Sequence, residues 1–425
     1  MAEQETKRPT RKLTVKNFSV IKDAELEFGK ITILIGPQAS GKSLLCKLAY
    51  FFEQYVSELV LNAGRNQLSL NQTEEQIIES FLSYFPENIE GKTFHIQYQI
   101  DPSFSLSIGM TDTSRTPYLE WKNREFIYSF KNWLSARSQR PPSFNSDRRR
   151  ELMSGVDIGP MPIESDSVYI PTGRAFFSTP NRALAALSTK NLDWITNRFA
   201  TDFDAEYSAL RESYQTNRVL LRNIGSSSTE ILKGRVIKDD SRLIFESIQD
   251  GRRLPFEILS SGTLELLPIF NILAQVAKKT GDPVHPNMPS PTVGMVFTEE
   301  PELSVFPETQ YQFAKLIALL AKSDLLWKSY AITTHSPYIL SSFNNLILAG
   351  QLGMDKRLKK KIKIDEQFWI EPDSFKAYSI HDGKLESILS KSGLINGEYL
   401  DSVSEAIGKE FDELLRLEYG KQKAS

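Results

Sequence analysis

Few folds accommodate the stretch ITILIGPQASGKSLL at residues 31–45. A short apolar run, Ile31, Ile33, Leu34 and Ile35, meets a glycine turn, then a lysine, a serine and a segment with helical spacing. Gly36, Gly41, Lys42 and Ser43 complete the pattern G-x-x-x-x-G-K-[ST]. The glycines let the backbone turn tightly and aim its N–H groups inward. The helix that follows adds its own free N–H groups, so the loop can cradle phosphate oxygens. Gly36, Pro37, Gln38, Ala39, Ser40 and Gly41, with Lys42, Ser43 and Leu44, are therefore the expected seat of ATP. Lys42 is expected on the outer phosphates and Ser43 on Mg2+. An ordinary glycine-serine turn would not need strand, loop and helix to agree.

The 425-residue chain is 40% hydrophobic, enough for a large core and for two or three domains. A net charge of −2 excludes a uniformly basic nucleic-acid coat and leaves room for a local basic surface. The single cysteine, Cys46, makes no internal disulfide and no thiolate metal cluster. The N-terminus, MAEQETKRPTRK, lacks the apolar core of a secretion signal. No run of 18 apolar residues occurs, so no membrane span and a cytoplasmic setting are expected.

Strands alternating with helices point to α/β. Residues 1–12 read as a disordered tail and 13–114 as a lobe carrying the phosphate loop. Residues 115–230 read as a compact, mostly helical insertion, and 231–350 as the rest of the catalytic unit. Residues 351–425 read as a small C-terminal α/β extension that offers a docking surface. Within these, 44–61 reads as one long helix and 120–136 as another, while 137–165 is a polar loop holding Arg148, Arg149 and Arg150. Residues 345–348 read as a strand and 398–419 as one or two helices.

The second half of the site lies far along the chain. The apolar strand at 292–298 delivers Glu299, Glu300, Pro301 and Glu302. A carboxylate at the end of a buried strand is costly unless used or paired, and in parallel sheets ligands bind at that edge. Glu299 is expected opposite Ser43, steadying Mg2+ directly or through water. Glu300 is the expected general base for the water that attacks the γ-phosphate. Glu302 is open between a metal-bound water, a neighbouring subunit and a helix N-terminal charge. The next strand ends at His335, beside Ser336 and Pro337, and fits a γ-phosphate contact that also senses a second subunit. Leu259, Ser260, Ser261 and Gly262 form a Ser-Gly corner at a helix start, which caps the helix and offers an anion its hydroxyls and N–H groups.

GPQASGKS at 36–43, LSSGTLE at 259–265, VFTEEPE at 296–302 and TTHSPYIL at 333–340 together resemble the SMC/Rad50 and OLD-like ABC-type ATPases. The resemblance covers about 13–348 and implies a two-lobed P-loop ATPase head. It implies that Lys42 and Ser43 bind nucleotide and Mg2+, that Glu299 takes the metal position, and that Glu300 is catalytic. It implies further that His335 is the switch histidine. Ser260, Ser261 and Gly262 would then meet the γ-phosphate held by an opposite subunit, so at least a head-to-head homodimer is implied, and a larger ring in some relatives. YIPTGR at 169–174 resembles a family Y-I-P-x-x-R motif. Arg174 is accordingly a candidate phosphate or subunit contact, with a structural ion pair as the alternative. Gln97 and Gln99 are both candidates for the glutamine loop. The chain departs from E-P-E-x-H-L-H-P, reading Glu300-Pro301-Glu302-Leu303-Ser304-Val305-Phe306-Pro307 without either histidine.

OLD-like nucleases carry a Toprim domain after the ATPase, but the residues after Leu348 hold no convincing E…DxD pattern. The resemblance therefore implies a sensor or scaffold of the kind found in PARIS-type anti-phage systems. There a separate Toprim-type nuclease effector is held until a phage-encoded trigger is sensed. The basic run DKRLKKKIK at 355–363 keeps nucleic acid open as a partner, and with it a DNA-binding repair ATPase as the alternative.

Overall fold

The computed structural model describes residues 11–66, 68–86, 93–101, 104–114, 116–123, 165–178, 192–240, 242–279, 294–323 and 328–396. Residues 1–10 of the expected 1–12 tail, residues 137–164 of the expected 137–165 loop and the helices at 398–419 lie outside these residues; the last two tail residues are instead ordered, Arg11 paired with buried Glu53 and Lys12 opening the first strand.

The first strands are β1 (Lys12–Phe18), β2 (Ile21–Glu27), β3 (Ile31–Ile35), β4 (Phe94–Asp101), β5 (Phe104–Met110), β6 (Tyr118–Lys122) and β7 (Val168–Ile170). They are followed by β8 (Gly234–Asp239), β9 (Arg242–Ser247), β10 (Arg253–Leu254), β11 (Gly294–Glu299), β12 (Lys328–Thr334), β13 (Phe375–His381) and β14 (Lys384–Ser387). The helices are α1 (Lys42–Tyr50), α2 (Val56–Arg65), α3 (Leu70–Tyr84), α4 (Ala175–Ser178), α5 (Trp194–Asp202), α6 (Ser208–Ser213) and α7 (Val219–Leu232). Then come α8 (Ser261–Lys279), α9 (Pro307–Lys322), α10 (Pro337–Gly353) and α11 (Lys356–Lys359).

One eleven-stranded sheet runs β6-β5-β4-β1-β2-β14-β13-β3-β12-β11-β7, and β10-β9-β8 form a second sheet. The half holding β13, β3, β12, β11 and β7 is parallel throughout; the half from β6 to β2 is antiparallel. The parallel strands are covered on both faces, which is why they read as continuous apolar runs. Ile31, Ile33, Val296 and Ile332 face a core built with α7, α8, α9 and α10. Leu34, Met295, Phe297 and Ala331 face the other core, shared with α1, α3 and the antiparallel strands. This α/β, two-lobed P-loop head aligns the C-terminal ends of β3, β12 and β11, where the phosphate loop, Glu299, Glu300, Glu302 and His335 are found. The C-terminal extension reaches the middle of the sheet, since β13 pairs in parallel with the phosphate-loop strand β3.

Three local expectations change. The helix predicted over 44–61 is interrupted by a π-helical turn, Phe51–Tyr55. That turn carries Glu53 into the core, where Arg11, Tyr98 and Ser165 all donate to its carboxylate. Residues 118–122 are strand rather than the start of a helix, because Trp121 and Tyr118 pair across to Leu106 and Gly109; 124–136 lies outside the described residues. The run at 345–348 belongs to α10, since a short apolar run fits a buried helix as well as a strand.

Candidate functional site

At the end of β3 the chain turns through Gly36 and enters α1 at Lys42. Gly36 lies against the neighbouring strand: a Cβ there would sit 2.7 Å from the Ile380 carbonyl oxygen. Gly41 has φ 105°, and a Cβ would come within 2.4 Å of Ile21 Cδ1. Both positions therefore demand glycine for backbone reasons. Lys42 Nζ donates to the carbonyls of Gly36 and Pro37, each at 2.8 Å. Burial lowers the Lys42 ammonium below its ordinary pKa, while Glu300 and Glu302 work against that shift. Ser40 Oγ is buried in the loop without a hydrogen-bond partner, a polar atom aimed at nothing the protein supplies.

A cleft of about 370 Å³ opens over this loop. Gln38, Ala39, Ser40, Gly41, Lys42, Ser43 and Leu44 line it, and so do Glu300 and His335 from the neighbouring strand ends. The structure thus brings the loop, the expected base and the expected switch residue to one place. The far rim, Ser19 and Val20 with Tyr84, Phe85, Asp193 and Trp194, carries no motif that a sequence reading could have used.

Glu300 leaves β11 with φ 41°, a left-handed backbone that is unfavourable for a non-glycine residue. Its N–H donates to the Thr333 carbonyl at 2.9 Å. Its carboxylate Oε1 stands 3.5 Å from His335 Nε2. Glu302, left open by the sequence, hooks the histidine loop. Its Oε1 accepts from Thr334 Oγ1 at 2.8 Å and from the His335 N–H at 2.6 Å, and its Oε2 is buried without a partner.

Glu299 is buried on the α1 face of the sheet, alternating with Met295 and Phe297. Its Oε1 accepts from the Tyr169 hydroxyl at 2.6 Å and its Oε2 from the Thr172 N–H at 3.0 Å. It does not line the cleft. Both carboxylate oxygens are thus held by the protein's own donors.

Arg174 needs a correction. Its side chain is wholly buried and does not line the nucleotide cleft. Nη1 donates to the carbonyls of Pro171 and Glu299 at 3.0 and 2.7 Å, Nη2 to Glu300 at 2.9 Å, and Nε to Glu265 at 3.0 Å. The Glu265 carboxylate lies 3.3 Å from Nε. Arginine here satisfies main-chain oxygens, so it is no phosphate contact. Gln97 and Gln99 sit on β4, remote from β3 in strand order, so neither reaches the cleft. The loop that flanks β11 is instead Pro171 to Arg174, and it contains no glutamine.

The Ser-Gly corner stands apart from the cleft. Ser260 Oγ accepts from the Thr263 N–H at 3.3 Å and caps α8, while Ser260 and Ser261 are exposed. Gly262 packs on the loop after Glu302: a Cβ there would lie 2.5 Å from the Ser304 carbonyl oxygen. Within α8, Pro268 cannot donate to the Leu264 carbonyl, and Ser178 Oγ donates to that oxygen instead.

Residues 31–341 match the AAA_21 family, described as "AAA domain, putative AbiEii toxin, Type IV TA system". No curated protein matches the chain. Among solved structures, the chain is similar to an SMC head domain from Thermotoga maritima at 9% identity, TM-score 0.39, covering 90% of this chain and 99% of that one. It is similar to an SMC head bound to the C-terminal winged-helix domain of ScpA at 12% identity, TM-score 0.40, covering 90% and 98%. It is also similar to the Pyrococcus furiosus Smc head with an extended coiled coil, bound to the C-terminal domain of ScpA. That match is at 14% identity, TM-score 0.36, covering 94% and 99%.

Proposed function

The chain belongs to this AAA-domain family of P-loop ATPases, and from that premise we propose that it is an ATP-driven sensor or scaffold whose heads join on ATP and whose hydrolysis resets them. The observation that carries the reading is the division of the site. Loop, base and histidine share one cleft, while the corner at Ser260, Ser261 and Gly262, with both serines exposed, lies outside it. A second copy supplying that corner completes the ring of donors around a γ-phosphate.

The residues suit Mg-ATP. Among the described residues no three histidines, cysteines or carboxylates gather around a metal position. Magnesium commonly takes one or two protein oxygens and fills its shell with phosphates and water. Ser43, with Glu299 through water, is such a set, and the partnerless Ser40 hydroxyl suits a phosphate oxygen. The ion neutralises phosphate charge when bound. Lys42 exchanges its loop carbonyls for the outer phosphates. Glu300 accepts a proton from a water as its oxygen bonds to the γ-phosphorus; the bond to the β–γ bridging oxygen breaks, giving ADP and phosphate. His335, beside Glu300, contacts the γ-phosphoryl group and reports its loss to the loop held by Glu302.

A defence role, with a separate Toprim-type nuclease effector and a phage-encoded trigger, is supported by the toxin-system description of the family and by the PARIS-like resemblance. The DNA-binding alternative has one observation of its own: Lys356, Lys359, Lys360 and Lys361 are exposed on one short segment.

Glu300→Gln tests the reading. With Mg-ATP it should bind nucleotide, hydrolyse it poorly and accumulate a paired species in native mass measurements. Ser261→Arg should abolish the pairing and spare nucleotide binding. Hydrolysis at the normal rate by Glu300→Gln would remove Glu300 as the base. A bare dimer carrying DNA would favour the repair class.

A further inference from the structure

We propose that Arg174 is the positioning residue for the hydrolytic step, holding Glu300 in place and tying it to the first turn of α8 through Glu265. This rests on Glu300 being the base.

A left-handed φ at a non-glycine residue persists only where its surroundings over-determine it. For Glu300 three hydrogen bonds do so: its N–H donates to Thr333, and its carbonyl accepts from Arg174 at 2.9 Å and from the Leu303 N–H at 3.2 Å. The same guanidinium holds the Glu299, Pro171 and Glu265 carbonyls. One rigid planar fork thus joins the end of β11, the loop after β7 and the first turn of α8. Pro268 leaves the Leu264 carbonyl free for Ser178, so α8 is gripped at two successive carbonyls, one by Ser178 and the next by Arg174.

The grip on the carboxylate is adjustable. Glu265 Oε2 lies 3.3 Å from Arg174 Nε yet forms no hydrogen bond. A second tie runs beside the first. Gly262 abuts the Ser304 carbonyl, and the loop that carries Ser304 also carries Glu302, which holds the His335 N–H. Both supports of the chemistry, at Glu300 and at His335, therefore touch the turn that presents Ser261 to solvent. Whatever engages Ser261 is read out at the base.

Glu265→Gln removes the charge beside Arg174 while keeping the carbonyl and the side-chain volume. It should lower kcat about tenfold and leave KM for Mg-ATP within about twofold. Introduced into Glu300→Gln, it should leave ATP-dependent pairing by native mass unchanged. Arg174→Lys retains the charge but reaches fewer carbonyls, and should lose about a hundredfold in kcat with nucleotide affinity kept. Wild-type kcat in Glu265→Gln overturns the proposal. So does a raised KM with lost pairing, which would put Glu265 at the subunit contact. An Arg174→Lys chain with a lower Tm but full kcat per bound nucleotide reduces Arg174 to a stabilising residue and also overturns it. Full activity in Glu300→Gln, measured alongside, would instead remove the base itself.

Discussion

Glu302→Gln isolates the hook on the histidine loop. The native carboxylate accepts two bonds at one oxygen, from Thr334 Oγ1 at 2.8 Å and from the His335 N–H at 2.6 Å. Gln keeps an oxygen there but makes both bonds neutral. A hydrogen bond to a charged group contributes about 1.5–3 kcal/mol and a neutral one about 0.5–1.5, so the change costs the held loop about 2 kcal/mol in all. At 1.4 kcal/mol per factor of ten, that is roughly a 25-fold loss in the population with His335 in register. The expected result is a comparable fall in the single-turnover hydrolysis rate, with affinity for a fluorescent ATP analogue nearly unchanged. Glu302→Ala, which leaves both donors without their acceptor, should fall further. If Glu302→Gln hydrolyses within about threefold of wild type, the hook does not set the histidine and the argument fails.

Two further outcomes are expected. Gly41→Ala should destabilise the loop by about 2–4 kcal/mol, from left-handed backbone strain plus overpacking on Ile21, and should abolish ATP binding. Removing the clashing methyl in Gly41→Ala/Ile21→Val should recover part of the lost Tm, and strictly additive losses would refute the steric cause. ATP affinity should fall at alkaline pH sooner than an unperturbed lysine would allow, because burial lowers the Lys42 pKa and the ammonium deprotonates as pH rises through the lowered value. Glu302 opposes that shift, so Glu302→Gln should move the alkaline limb of a Kd-versus-pH curve to lower pH; a limb that stays put refutes this.

What a reader of the sequence could see follows from how local each signal is. The phosphate loop is legible because strand, turn and helix are contiguous and each glycine has a steric reason. Glu300 and His335 are legible because apolar strands end on them, and parallel strands end on the same edge. Arg174 is not: the motif around it shows, but only the fold reveals that carbonyls from three segments surround the guanidinium. The roles of Tyr169, Thr172 and Glu265 are hidden for the same reason, since Glu299, the partner of the first two, lies on β11 and Arg174, the partner of the third, lies in the loop after β7. For Glu299, nothing in its neighbourhood along the chain announces that Tyr169 and Thr172 hold its carboxylate. The alternation at 375–381 announces a strand, but not that its partner is β3, more than 300 residues earlier.

That last pairing bears on the order in which a ribosome delivers the parts. The phosphate loop emerges first, yet the strands that flank β3 are β12 and β13, which leave the exit tunnel only after β3 and the eight strands from β4 to β11. Until they dock, Ile31 and Leu34 have no neighbours in the sheet and Gly36 has no Ile380 to lean on. Such long-range closure is slow and leaves apolar surface open meanwhile. A ribosome-bound chain stalled before β12 carries the whole nucleotide motif in its sequence and none of its geometry. A nascent head therefore gains the geometry of its nucleotide cleft only after β12 and β13 have emerged.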